Sequence, residues 1–165
     1  MITSSVSISG KAEGVIVSRY LIVGGETAAN PEVVEEAESI LARDKDAVFT
    51  LLVPATHVRQ YLGQHKGEDE EVARRMAEAA QRRFKDSNIP LDYYIGPPDP
   101  VQAVDEEWVN RQYDKVIVST YPARKSRYLA MKAPDKIEAR HKIPVVVVEA
   151  QPDFLRNLGE FGPYG

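Results

Sequence analysis

Arg124, Lys125 and Arg127 crowd around Ser126 in one short stretch, and the chemistry such a stretch could do is to hold an anion. Guanidinium groups bond phosphate or carboxylate oxygens in pairs, and an ammonium adds a point charge. The plainer reading is a solvated loop whose cations balance nearby carboxylates, because Arg and Lys are common on every surface. Just upstream, Ser119 and Thr120 offer two hydroxyls that either meet a ligand or satisfy local backbone groups. Far off in the chain, Gly24-Gly25-Glu26-Thr27 offers amides and a hydroxyl. That is the make-up of an anion-holding turn at a helix start, or simply of a tight turn between a strand and a helix.

Other chemistry-bearing residues are sparse. There is no cysteine, so disulfides, thiol nucleophiles and cysteine metal sites are excluded. His57 and His65 share a loop without a carboxylate at a ligand-like offset, which disfavours a metal site. His141 lies near a predicted helix end, where a cation suits the macrodipole. Spacing places no Ser-His-Asp set and no working pair of carboxylates, so an enzyme is not the favoured reading. Glu35-Glu36 and the acidic run from Glu68 to Glu71 read as solvated helix faces.

The elements that must position these residues follow from the pattern of apolar side chains. Five short apolar runs read as strands: Tyr20 to Val23, Ala47 to Val53, Leu91 to Ile95, Lys115 to Val118, and Ile143 to Val148. Four helices alternate with them. Asn30-Pro31 opens the first, with Val33, Val34, Ala37, Ile40 and Leu41 at helical spacing. The second starts in the acidic run, and its apolar stripe reads Val72, Met76, Ala80, Phe84. Asp99-Pro100-Val101-Gln102 resembles a capping box for the third, with Trp108 in its buried face. Pro134 begins the fourth. Residues 55–67 form a connection long enough for a lid or a binding loop.

Strand–helix alternation with short connections implies an α/β fold, a five-stranded parallel sheet with helices on both faces. Right-handed crossovers favour the Rossmann-like order 3-2-1-4-5. Its switch point lies between strands 1 and 4, and ligands bind there at the carboxyl ends of the strands. The two polar turns meet at that point. The candidate ligand-binding set is therefore Gly24, Gly25, Glu26, Thr27, Val53, Ser119, Thr120, Arg124, Lys125, Ser126 and Arg127. No catalytic residue and no metal ligand is assigned. Residues 1–17 read as an arm or edge strand, 18–150 as the domain, and 151–165 as a tail that packs on a surface or a partner.

The chain of 165 residues has a formal charge of −4, which gives no reason to expect nucleic acid or a membrane surface as a partner. No basic-then-apolar leader begins it, and its apolar runs are too short to span a bilayer. A soluble cytoplasmic protein is the expectation.

Over residues 18–150 the sequence resembles the universal stress protein family. Asp114, the strand Val116 to Val118, the helix from Pro134 and Pro144-Val145-Val146-Val147-Val148 match the frame of that family's last third. The resemblance implies a homodimer paired through the last strand, with Val145, Val146, Val147 and Val148 as the candidate interface. It also implies ATP or AMP as the cofactor, but the nucleotide-binding residues depart from the pattern. Ser119 and Pro122 stand where ATP-binding members carry Gly-x-x-Gly, Met131-Lys132 stands for Gly-Ser, and Gly24 replaces a carboxylate at the end of strand 1. Glycines in such loops let amides close around phosphates, and Pro122 has no amide to give. The expected function is a regulatory or ligand-binding module that does not bind ATP in the usual manner, with a small anion held by the 119–127 loop. The alternative is an adenine-nucleotide-binding protein or an enzyme acting on a phosphorylated small molecule through Thr27, Ser119 and Arg124. A phosphoacceptor receiver domain shares the architecture, but it needs acids where this chain has Gly24 and Gly96. A flavodoxin-like reading fails on the poor phosphate loop after strand 1.

Overall fold

A computed structural model describes residues 17–55, 66–121 and 132–151. Five parallel strands form one sheet, β1 (Arg19–Val23), β2 (Val48–Pro54), β3 (Leu91–Gly96), β4 (Lys115–Thr120) and β5 (Val145–Glu149). Their order is β3-β2-β1-β4-β5, as the crossover argument requires. The helices are α1 (Pro31–Arg43), α2 (Lys66–Asp86), α3 (Pro100–Asn110) and α4 (Ala133–His141). A short 3₁₀ helix, Glu26–Ala29, precedes α1.

Strand alternation sorts the core into two layers. Leu21 and Val23 join Leu52, Val116 and Val118 beneath α3 and α4, with Ala103, Val104 and Ile137 facing them. Ile22 points the other way and joins Leu51, Val53 and Ile117 beneath α1 and α2. The central strands are covered on both sides, which is why they read as unbroken apolar runs. In register, Ile22 lies between Leu51 and Ile117. Asp114 fastens the start of this centre: its carboxylate accepts from the Arg19 amide at 2.8 Å, and its own amide donates to the Arg19 carbonyl at 2.7 Å.

Several local expectations change. The buried stripe of α2 is Ala73, Ala77, Ala80 and Phe84, while Val72 and Met76 are only half-buried flanks. Alanine brings the helix close to the sheet, so the small residues, not the larger ones, mark the contact. Asn30 precedes α1 but does not cap it; its side-chain amide donates to the Gln151 carbonyl instead. Asp99 does cap α3, accepting from the Val101 amide at 2.9 Å, while Gln102 turns to Glu106 rather than completing the box. Trp108 is half-buried, packed against the α3–α4 layer and stacked on His141 at 4.5 Å. His141 itself bonds Asp105 at 2.8 Å, a contact between helices rather than one to its own helix end. The arm, the tail beyond Gln151 and most of the 55–67 connection, with His57 and His65, lie outside the described residues.

Candidate functional site

β1 and β4 are adjacent, with Val23 opposite Val118, so the residues that follow each meet at the carboxyl edge of the sheet. Ser119 and Thr120 belong to β4 itself, opposite Val148 and Glu149 of β5, and are buried. Gly24 leaves β1 still in sheet geometry, its amide donating to the Leu52 carbonyl at 3.1 Å. This places Gly24 directly against Ser119. A Cβ built on Gly24 would lie 2.9 Å from Ser119 Oγ and 3.2 Å from the Ser119 carbonyl oxygen. No side chain larger than hydrogen fits there without displacing the serine.

The turn then tightens into the 3₁₀ helix, with the Ala28 amide donating to the Gly25 carbonyl at 3.0 Å. That turn brings Thr27 back over the strand ends. Thr27 and Ser119, both buried, share a hydrogen bond between their hydroxyls. Two groups of the candidate ligand-binding set thus satisfy each other, as buried hydroxyls must. Gly25 is half-buried under α2, and a Cβ there would come within 3.4 Å of Met76 Sδ. Glu26 points to solvent. Val53 is wholly buried in the α1–α2 core, one layer below the crevice. The Ala150 amide donates to the Thr120 carbonyl at 2.8 Å, and with the Asn30–Gln151 bond this ties the end of β5 to both sides of the crevice. Arg124, Lys125, Ser126 and Arg127 lie outside the described residues, so the cationic half of the predicted site is not placed.

Polar groups that the sequence reading passed over sit elsewhere. Glu107 on α3 is buried and accepts from the Tyr113 hydroxyl at 2.6 Å and from Arg111 at 2.9 Å. Arg111 also lies over the Tyr94 ring, 3.8 Å from its centroid. Burial, then the bond to Glu107, pushes the Tyr113 hydroxyl well above its ordinary pKa. Asp69 was expected on a solvated face, yet it is 2% exposed. It lines a cleft of 720 Å³ between α2, α3 and the end of β3. Glu107 alternates with ordinary surface residues, and Asp69 lies inside an acidic run, so only tertiary packing distinguishes either one. Among the described residues, no group of three His, Cys, Asp or Glu side chains could hold a metal ion. No described helix is long and apolar enough to cross a membrane.

This chain has the fold of the universal stress proteins. A universal stress protein from Archaeoglobus fulgidus superposes with a TM-score of 0.57 at 11% identity, over 83% of this chain and 97% of that one. A universal stress protein in complex with cAMP gives 0.52 at 16% identity, over 81% and 98%. A universal stress family protein from Arabidopsis thaliana with AMP bound gives 0.54 at 11%, over 83% and 94%. No family profile matches the sequence, and no curated protein matches it.

Proposed function

We propose that residues 18–150 form a regulatory or ligand-binding module of the universal stress kind, with an arm before it and a tail after it, acting in the cytoplasm without catalysing a reaction. In this reading the module does not hold an adenine nucleotide in the manner usual for that family. The observation that carries it is the Ser119 hydroxyl, seated against Gly24 and bonded to Thr27. A phosphate entering between the two turns would have to break a buried hydrogen bond. The residues present therefore do not fit the nucleotide. A small anion on Arg124, Lys125, Ser126 and Arg127 remains part of the proposal.

Pairing of two chains through β5 completes the proposal. Among the described residues β5 is an edge strand, Val145, Val146 and Val148 are half-buried, and Val147 is 36% exposed. An exposed apolar edge calls for a partner or a cover.

A second reading has its own support. Two structures of the same fold carry cAMP and AMP, which keeps adenine-nucleotide binding, or action on a phosphorylated small molecule, as the alternative. Melting the protein with ATP, AMP and cAMP separates the two. A ligand at 100 times its dissociation constant adds about 2.7 kcal/mol of stability. No shift with any of the three is expected; a saturable rise with one of them overturns the proposal in favour of the alternative.

A further inference from the structure

α2 reaches the β1–β4 crevice through the turn that follows β1. Ala28 of the 3₁₀ helix shares one core with Ala73 and Ala77 of α2, so the two segments pack side by side. Met76 flanks that alanine stripe, half-buried, with its Sδ 3.4 Å from where a Cβ on Gly25 would stand. The thioether therefore lies on the backbone at the entrance to the turn. Within the turn the Ala28 amide donates to the Gly25 carbonyl and the Asn30 amide to the Thr27 carbonyl, both at 3.0 Å. Thr27 carries the bond to Ser119 that closes the crevice. A change at the Met76 sulfur thus acts two residues from the hydroxyl pair.

Sulfur chemistry in this chain belongs to methionine, since it has three methionines and no cysteine. A thioether is oxidised where a peroxide can reach it, and Met76 is partly open to solvent while in contact with the turn. We propose that Met76 is a modification site: hydrogen peroxide oxidises it to the sulfoxide, and the sulfoxide loosens the 26–29 turn. The sulfur gives two electrons to the peroxide, whose O–O bond breaks; one oxygen stays on sulfur and the other leaves as water. The product sets a bulkier, strongly polar group where an adaptable apolar one packed beside Gly25 and the core alanines. Its oxygen draws the side chain toward water, and the 3₁₀ helix loses cover. A sulfoxide reductase restores the thioether, so the change is reversible. Both effects are internal to the chain and hold whatever the crevice contains.

Treating the folded, full-length protein with hydrogen peroxide tests this, with peptide mass spectrometry to locate the added oxygen. Met76 is expected to take one oxygen, the melting midpoint to fall by about 2–4 °C, and the Ala28 and Asn30 amides to exchange faster by NMR. Methionine sulfoxide reductase should reverse all three. Met76→Leu, a swap that packing tolerates, should show neither the fall nor the faster exchange after the same treatment, while keeping any background from Met1 and Met131. Met76→Gln sets a polar group at the same place without oxidant and should speed exchange at the same two amides. Met76 left unmodified in the folded chain, an equal fall in treated Met76→Leu, or parent-like exchange in both the oxidised protein and Met76→Gln overturns the proposal.

Discussion

Gly24 and Ser119, 95 positions apart, fit each other as a missing and a present side chain: the serine Oγ sits 2.9 Å from where a Cβ on Gly24 would be. Gly24→Asp therefore forces the two side chains into one space, and overpacking of this kind costs about 1–3 kcal/mol. Ser119→Gly vacates the space, so the double variant recovers part of the loss, although the Ser119 carbonyl remains close. Urea unfolding of both single variants and the pair is expected to give a coupling of about 1 kcal/mol. Strict additivity would show that the two positions do not compete.

The hydroxyl pair itself makes a second test. Thr27→Val keeps the shape of the side chain but leaves the Ser119 hydroxyl buried without its Thr27 partner. A loss of about 1–3 kcal/mol is expected, because the cost is the desolvation of a stranded polar group. Thr27→Ser keeps the bond and should lose clearly less. Equal losses in the two variants would mean that the methyl group, not the hydroxyl, matters at this position.

Pairing through β5 predicts a dimer in sedimentation velocity that gives way to monomer on dilution. Val147→Asp places a charge on the exposed side of the edge strand, where the monomer tolerates it. The variant should sediment as a monomer with an unchanged far-ultraviolet spectrum. A folded variant that stays dimeric rules out the β5 edge as the interface.

The strand order was legible because its causes are local. Leu21-Ile22-Val23 and Val116-Ile117-Val118 are apolar on both faces, which only central strands of a parallel sheet require, and Pro31 and Pro100 mark helix starts. The position of the crevice followed from handedness alone. What occupied it did not. Thr27 and Ser119 are 92 positions apart, and their meeting depends on a 3₁₀ turn that two glycines and a threonine do not announce. The burial of Asp69 and Glu107 was hidden for the same reason, since a carboxylate looks alike in sequence whether it faces water or a neighbouring helix. Similarly, the stripe of α2 is legible at Ala80 and Phe84 but not at Ala73 and Ala77, because Val72 and Met76 draw attention while closeness to the sheet is made by alanines.

Asp105 joins α3 to α4 and predicts the acid limb of stability. Burial alone would raise its pKa, but hydrogen bonds from Arg140, at 3.1 and 2.5 Å, and from His141 outweigh burial and hold it below the ordinary value. A depressed carboxylate stabilises the fold above its unfolded pKa of about 3.9, and that contribution is lost as pH falls through the lower folded value. Asp105→Asn should therefore flatten the decline in urea midpoint below about pH 4. The only tryptophan, Trp108, stacks on His141 and reports the loosening of this contact by fluorescence. An acid limb as steep in Asp105→Asn as in the parent would remove Asp105 from the explanation.

Tyr113 governs the opposite limb. Its hydroxyl is held in the neutral form by burial and by donation to Glu107, so its folded pKa stands above the unfolded value of about 10. The sign is the reverse of the Asp105 case: the stabilisation is complete below about pH 10 and disappears as pH rises beyond it. Tyr113→Phe keeps the ring against Trp108, 5.5 Å between centroids, and removes the hydroxyl with its bonds to Glu107 and Thr50. Glu107 keeps Arg111, so the cost at pH 7 is about 1.5–3 kcal/mol, the range for a hydrogen bond to a charged group. Above pH 10 the gap between parent and variant should narrow, since the parent then loses what the variant never had. Tyr20 and Tyr93 are also raised, chiefly by burial, so the variant retains some alkaline loss of its own. Melting midpoints of both proteins from pH 7 to 11 measure this, and a gap that stays constant across the range would show that the Tyr113 hydroxyl ionises as freely in the folded chain as in the unfolded one.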